Sequence, residues 1–337
     1  MKAIVQTALG GPENLRLVDR PDPVPGHGQV LVRLRAASLN YRDTLILKGG
    51  YGSRQLKENF TPLSDGAGEV VALGPGAARF KIGDRVTVAF FQHWLSGAPN
   101  EEVLDSDTGR NANGVLCELR AFDEDGLVRT PDYLTDVEAA CLPCAALTSW
   151  SALIAEGHIS PADTVLVQGT GGVSLFALQF AKMTGAGVVA TSSSDAKLER
   201  VRAMGADHGI NYMTEPEWGK AALAWTKGRG VDHVVEVGGA GTMKQSIRAV
   251  RPGGMITLIG VLAGARSDFL VPLVGSRNVR VQGIAVGTRE SLEAMLRAMA
   301  RHAMKPVVDS VFPMADARAA YDHLAAGRHF GKVCLSI

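Results

Sequence analysis

Cysteine is scarce. The 337 residues hold only Cys117, Cys141, Cys144 and Cys334, too few and too scattered for a disulfide framework, which points to a reducing compartment, the cytoplasm. Excess charge is missing too: the formal net charge is +1, with no basic run and no acidic tail. That removes the usual reasons to expect a nucleic-acid partner or an anionic membrane surface. Long hydrophobic runs are absent. The longest, residues 255–265, carries two glycines and is too short to span a bilayer. The opening Met-Lys-Ala-Ile-Val-Gln reads as a strand and not as a signal peptide. What remains is 46% hydrophobic and 20% charged, an ordinary globular composition of a length that suggests two domains at roughly 150 residues each.

The first 125 residues read mostly as strand. Val30, Val32, Leu34 and Ala36 alternate with more polar positions, and glycine turns recur near Gly26, Gly74 and Gly83. An antiparallel barrel or sandwich is expected there. Beyond about residue 135 the rhythm changes. Short apolar strands at 165–168, 188–191, 231–237 and 255–259 alternate with helices beginning at Val173, over 195–204 and near 242–250. That alternation predicts an α/β domain, a parallel sheet with helices on both faces. A strand at 279–285, a helix at 290–302 and a strand at 332–337 follow, so the tail is expected to rejoin the first domain.

Between the strand at 165–168 and the next helix lies Gly169-Thr170-Gly171-Gly172-Val173-Ser174. The helix has an apolar face at Val173, Phe176, Ala177, Phe180 and Ala181. A tight glycine turn lets a pyrophosphate approach the backbone, and the helix N-terminus offers it free N–H groups and a positive dipole end. In this strand–turn–helix context the turn predicts a bound nicotinamide dinucleotide; the alternative is a tight turn with no ligand. The third glycine of the usual fingerprint is replaced by Ser174, small enough to keep helix and sheet close.

The end of the second strand selects the cofactor. NAD-binding domains usually place an acid there to hold the ribose hydroxyls. Here Thr191, Ser192, Ser193 and Ser194 stand instead, with no carboxylate before Asp195, and Lys197 follows. A 2′-phosphate would meet donors and not a repelling charge, which favours NADP(H). The serines could equally cap the next helix, and Asp195 keeps NAD(H) open.

The chain resembles the medium-chain dehydrogenase/reductase superfamily, in its zinc-independent alcohol dehydrogenase-like and quinone oxidoreductase-like branches. The carriers span nearly the whole chain: Ala36-Ala-Ser-Leu-Asn-Tyr-Arg-Asp43, Pro62-Leu-Ser-Asp-Gly-Ala-Gly-Glu-Val70, Gly83-Asp-Arg-Val86, Leu142-Pro-Cys-Ala-Ala-Leu-Thr148, the glycine turn, and His329-Phe-Gly-Lys332. The resemblance implies a chaperonin-10 (GroES)-like β-barrel catalytic domain over residues 1–145. It also implies a doubly wound Rossmann domain over 146–287 and a return to the catalytic domain over 288–337, with nicotinamide and substrate held in the cleft between domains. It implies a dimer or tetramer as well, most simply a homodimer paired through the run at 279–285.

The same likeness places further cofactor contacts. Thr148 falls near the nicotinamide, Tyr212 by the adenosine end, and Gly238 at the end of the fourth Rossmann strand. Ile259, Gly260, Val261 and Leu262, with Ile284, Ala285 and Val286, would line the nicotinamide pocket, and Gly331 and Lys332 would close over it.

Zinc-dependent members need three protein ligands and an open position on the metal. At those places this chain has Asn40, Ser64 followed by Asp65, and Cys144, so only the third ligand survives. Residues 91–118 carry Cys117 and His93 alone, not the four cysteines of a structural zinc lobe. No metal is expected. Cys141-x-x-Cys144 has redox-like spacing but no thioredoxin-like context, and reads as two buried free thiols.

Hydride transfer without zinc needs another stabiliser for the developing oxyanion and a proton source. The candidates are Asn40, Tyr41, Asp43 and Tyr51. Asn40 can donate its amide to a carbonyl oxygen, and Tyr51, in Gly49-Gly-Tyr-Gly52, matches the position of a proton-donor tyrosine in related enoyl reductases. Arg42 and Asp43 could be a structural pair or part of the chemistry. Loss of zinc favours reduction of enones, quinones or aldehydes. A zinc-independent alcohol dehydrogenase and a low-turnover NADPH-binding sensor or crystallin-like protein are the alternatives. The loop at 92–113, with Trp94, is expected to border the small-molecule pocket.

Overall fold

A computed structural model describes residues 1–51, 60–266 and 271–337. It divides into two units, Met1–Leu147 with Gly287–Ile337, and Thr148–Val286.

The first unit carries strands β1 (Lys2–Gln6), β2 (Leu15–Asp19), β3 (Gln29–Ser38), β4 (Asp65–Leu73), β5 (Arg85–Val88), β6 (Leu119–Asp123) and β7 (Leu127–Arg129). The end of the chain adds β14 (Val308–Pro313) and β15 (Lys332–Ser336). Seven of these form one sheet: β14, β15, β3, β4, β5 and β7 lie side by side, and β6 also pairs with β3. β3 is the pivot. Its alternation buries Val30, Val32 and Leu34, which sets its register: Val32 faces Val70 of β4, and Val30 faces Phe122 of β6. Those side chains share a core with Val86, Leu335 and Tyr321, the last on the helix Ala317–Ala325. The C-terminal strand β15 joins β3 with Cys334 opposite Ser38, so the tail does rejoin the opening strands.

The second unit holds β8 (Thr164–Gln168), β9 (Gly187–Ser192), β10 (His208–Asn211), β11 (Val231–Glu236), β12 (Val250–Leu258) and β13 (Arg280–Gly283). All are parallel, in the order β10-β9-β8-β11-β12-β13. This is the doubly wound dinucleotide-binding order, in which the chain runs outward from β8, then returns to build the other half from β11. Its core gathers Leu166, Val189, Ile210, Val234 and Ile256 from five of those strands.

Several elements depart from the sequence reading. β13 is shorter than the expected strand at 279–285 and leaves residues 284–286 outside the sheet. β12 starts at Val250, five residues earlier than expected, because Val250 pairs with Val231 before a register shift restores pairing at Met255. The helix Trp218–Trp225 was not anticipated, since Gly219 interrupts an otherwise apolar face. Among the described residues no helix is long and apolar enough to cross a membrane.

Candidate active site

In the second unit the expected cofactor residues gather at one edge of the sheet. Gln168 pairs with Thr191, Ser192 with Asn211, and Glu236 with Leu258, which also pairs with Gly283. The turns after these residues therefore all leave from the carboxyl ends of parallel strands, where open α/β sheets bind ligands. Gly169 adopts φ +72°, a left-handed conformation that suits glycine. Gly171 caps the helix Gly172–Thr184. A Cβ added at Gly169 or Gly171 would meet nothing within 4 Å, so the backbone lies open to a pyrophosphate. Thr170 is buried, and Val173 accepts a hydrogen bond from Ser149 Oγ at 2.7 Å. Ser174, at the third-glycine position, folds its hydroxyl back onto the Gln168 carbonyl at 2.5 Å, filling the space that close helix packing requires.

Sequence reasoning missed what holds this edge together. Glu236 is fully buried. Its Oε1 accepts the N–H groups of Gly238 and Gly239 at 2.8 Å each, and Thr242 Oγ1 at 2.5 Å. Its Oε2 accepts Gln168 Nε2 at 2.7 Å and the Ser246 hydroxyl. Gln168 Oε1 in turn accepts Val237 N and Gly238 N. One carboxylate thus ties the glycine turn of β8 to the Gly238 turn of β11, across the point where the strand order reverses. The only sequence signal was an acid closing the apolar run of β11.

Ile259 N and Gly260 N donate to Glu236 O, and Leu262 N to Val237 O. Val261 and Leu262 are exposed. Ile284 N donates to Leu258 O, Ala285 is exposed, and Val286 is held at φ +57°, an uncommon conformation for a β-branched residue. Thr148 is buried, and Tyr212 is partly exposed, with its N–H on Ser192 O at 3.0 Å. Of the serines, Ser192 accepts Ser194 N, Ser194 caps the helix Asp195–Ala203, and Ser193 is exposed. Asp195 is held by Asn211 Nδ2 at 2.8 Å.

The first unit brings together a different set. Asn40 precedes the helix Tyr41–Leu47, and its backbone N–H is accepted by Asp43 Oδ2 at 2.7 Å. Tyr41 is exposed. Lys332, the first residue of β15, is buried and reaches Leu39 O at 2.6 Å and Asn40 Oδ1 at 2.5 Å, with Asp65 Oδ2 4.0 Å away. Asp65 itself accepts Ser64 Oγ at 2.6 Å and Cys144 N at 3.2 Å. Leu63, just before this pair, sits at φ +70°, so strain is stored beside Ser64. Arg42 is buried on Asp107 at 2.5 Å and Thr108 O at 3.1 Å, with its guanidinium 5.2 Å from the Tyr51 ring centre. Tyr51 is exposed; Gly52, beside it, lies outside the described residues. Trp94 is buried within its own loop, its indole N–H on Gly97 O at 3.0 Å.

Burial lifts the Asp43 carboxyl to about 6, against the pull of Arg42 and with a push from Asp65. Burial and Asp65 likewise push the Cys144 thiol up. Several buried polar atoms around the cluster have no partner among the described residues: Asn40 Nδ2, Asp43 Oδ1, Arg42 Nε and the Tyr321 hydroxyl. Orphans of this kind are rare, and their concentration in one place marks a site. The Cys141-x-x-Cys144 spacing is not realised as a pair: Cys141 Sγ lies 3.4 Å from Cys334 Sγ, and Cys144 turns to Asp65. Among the described residues no cluster of three or more His, Cys, Asp or Glu side chains could hold a metal.

A dinucleotide cradle at the carboxyl edge of one unit and a buried polar cluster in the other define an oxidoreductase. The sequence matches the alcohol dehydrogenase GroES-like domain over residues 26–132 and the zinc-binding dehydrogenase family over 172–301. It is 41% identical to a zinc-type alcohol dehydrogenase-like protein of Schizosaccharomyces pombe, covering 97% of this chain and 94% of the other. Among solved structures it is similar to an NAD-dependent alcohol dehydrogenase, at 35% identity and TM-score 0.92, with full coverage of both chains. A mycobacterial protein complexed with NADPH matches at 29% identity and TM-score 0.85, covering 100% of each chain. The chain belongs to the medium-chain dehydrogenase/reductase superfamily, as a nicotinamide-dependent oxidoreductase.

Proposed function

We propose that the chain is an NAD(P)(H)-dependent, zinc-independent reductase of enones, quinones or aldehydes, with NADP(H) preferred. The observation that carries this reading is the buried, unpartnered Asn40 Nδ2, a donor where zinc-dependent relatives would carry a metal ligand. The donor set there does not suit zinc. An amide oxygen engaged by an ammonium, a serine hydroxyl engaged by Asp65 and a thiol pushed up by burial are poor ligands, and the Lys332 cation repels a second one.

A bound nicotinamide would supply or accept the hydride. The open backbone at Gly169 and Gly171 and the N-terminus of the helix Gly172–Thr184 would hold its pyrophosphate. Exposed Ser193 and the half-buried Lys197 would meet a 2′-phosphate, while Asp195 is engaged by Asn211. In the first unit Asn40 would donate to the substrate carbonyl as negative charge develops on it. Tyr51, beside Arg42, would deliver the proton, with Tyr41 bordering the substrate and Asp43 anchoring Asn40. A zinc-independent alcohol dehydrogenase is the second reading, favoured by the NAD-dependent alcohol dehydrogenase that this chain resembles. A cytoplasmic homodimer paired through the exposed edge strand β13 completes the proposal.

Purified protein assayed for NADPH and NADH oxidation against enones, quinones and aldehydes, and for NAD(P) reduction with alcohols, tests it. Turnover with a carbonyl or quinone acceptor is expected. Tight cofactor binding with no turnover in either direction would replace the enzyme by a sensor or crystallin-like binder.

A further inference from the structure

Lys332 follows Gly331 and opens β15, and its geometry argues for a specific task. Gly331 adopts φ +98°, and a Cβ there would fall 2.2 Å from Val307 O; only glycine lets the chain pass so close and turn the next side chain inward. Lys332 N then donates to Val307 O, and the ammonium is anchored on the main-chain carbonyl of Leu39. Its position is therefore fixed by backbone and does not depend on Asn40.

An ammonium can only donate. The atom of the Asn40 amide that faces it at 2.5 Å must be the oxygen, because the flipped amide would oppose two donors. The amide nitrogen is left pointing elsewhere, buried and without a partner among the described residues. Asp43 holds the same residue through its backbone N–H, so both ends of Asn40 are restrained. The positive charge on Oδ1 also polarises the amide, which strengthens Nδ2 as a donor.

We infer that Lys332 is a positioning residue whose ammonium locks the Asn40 amide with Nδ2 presented as the hydrogen-bond donor for the substrate oxygen. This rests on the carbonyl-reducing reading above, for which Asn40 is the donor. The competing role is a plain counter-ion for buried Asp65, which would leave the Asn40 amide indifferent to Lys332.

Two measurements on the full chain separate these. In protein labelled with 15N at asparagine, Asn40→Asp identifies the Asn40 side-chain resonance by its loss. Lys332→Met is expected to move that resonance upfield and to speed rotation about Cγ–Nδ2, since the bond loses the double-bond character that the ammonium enforces. Lys332→Gln, which can still donate, serves if the methionine variant does not fold, and should give an intermediate shift. An Asn40 resonance unchanged in the Lys332 variants overturns the inference. In kinetics, Asn40→Ala and Lys332→Met should each lower kcat by about 10²-fold, with smaller effects on KM. The double variant should be no worse than either single one; fully additive losses overturn the positioning role. Should the wild type turn over no carbonyl substrate, the reductase reading fails, and the resonance test still decides whether Lys332 sets the amide.

Discussion

The side-chain oxygen of Asn40 lies 2.5 Å from the ammonium of Lys332, a residue 292 positions further along the chain. The contact exists because β15 returns to β3, placing Cys334 opposite Ser38 and Lys332 beneath the start of the helix Tyr41–Leu47. The opening strands and the last strand thus build the polar site jointly. Neither half of that site has its partners without the other.

The dinucleotide cradle gives the first prediction. Gly171 has an ordinary extended backbone, φ −79° and ψ 178°, and open space where a Cβ would go. Gly171→Ala should leave unfolding free energy within about 0.5 kcal/mol of wild type. It should weaken NADPH binding by about tenfold or more, because the methyl occupies the path of the pyrophosphate. Urea unfolding and a fluorescence titration check the two halves. Unaltered affinity would mean that the cofactor does not lie on this turn.

Asp43 predicts a pH dependence of stability. Its folded carboxyl is lifted to about 6 from the usual 3.8, by burial first. Between those values the folded chain holds a proton that the unfolded chain has released, so this group's contribution falls as pH rises through the window. Above it the ionised form costs about 3 kcal/mol relative to the protonated one. Asn at this position still accepts the Asn40 N–H. Asp43→Asn should therefore gain stability over wild type at pH 8, by up to about that amount, relative to its difference at pH 4. Denaturant unfolding at both pH values reads it; equal differences would contradict the assignment.

The second unit was legible where its strands are short apolar runs followed by glycine turns. β8, β9 and β11 were readable to within a residue or so on that basis. β12 was not, since Pro252, Gly253 and Gly254 disguise its first half. The site of the first unit was legible only in part. Asn40, Asp43 and Tyr51 were candidates for the chemistry and Lys332 for a cofactor contact, but the hold of Lys332 on Asn40 depends on a contact between distant stretches of the chain. Glu236 and Gln168 were invisible for a similar reason: their meaning is a register between β8 and β11 that no local pattern carries. Cys141 and Cys144 show the converse, a suggestive spacing that the fold does not use.

In the proposed function, preference for NADP(H) turns on Lys197. With Ser193 exposed and Asp195 engaged by Asn211, Lys197 is the cation nearest in sequence to the position of a 2′-phosphate. Lys197→Ala should weaken NADPH binding by about tenfold, the scale of one charge-assisted contact, and leave NADH nearly unchanged. Parallel titrations of both cofactors measure it. A loss of equal size for NADH would assign Lys197 to folding and not to phosphate recognition.

The four residues of β13 are all exposed at the edge of the parallel sheet, including Val281 at 41%. An unprotected edge strand is a pairing surface. Val281→Lys should convert the expected dimer to a monomer in light scattering without changing the circular dichroism spectrum. A monomeric wild type would rule out pairing through β13.

In the proposed function this dehydrogenase-family chain works without zinc, through hydrogen-bond donors in place of a metal. The direct test is NADPH oxidation with an accepted enone, quinone or aldehyde, before and after dialysis against a strong chelator, with zinc content measured on the same samples. Turnover is expected to be unchanged at far less than one zinc per chain. Activity that disappears on chelation and returns with stoichiometric zinc would contradict it.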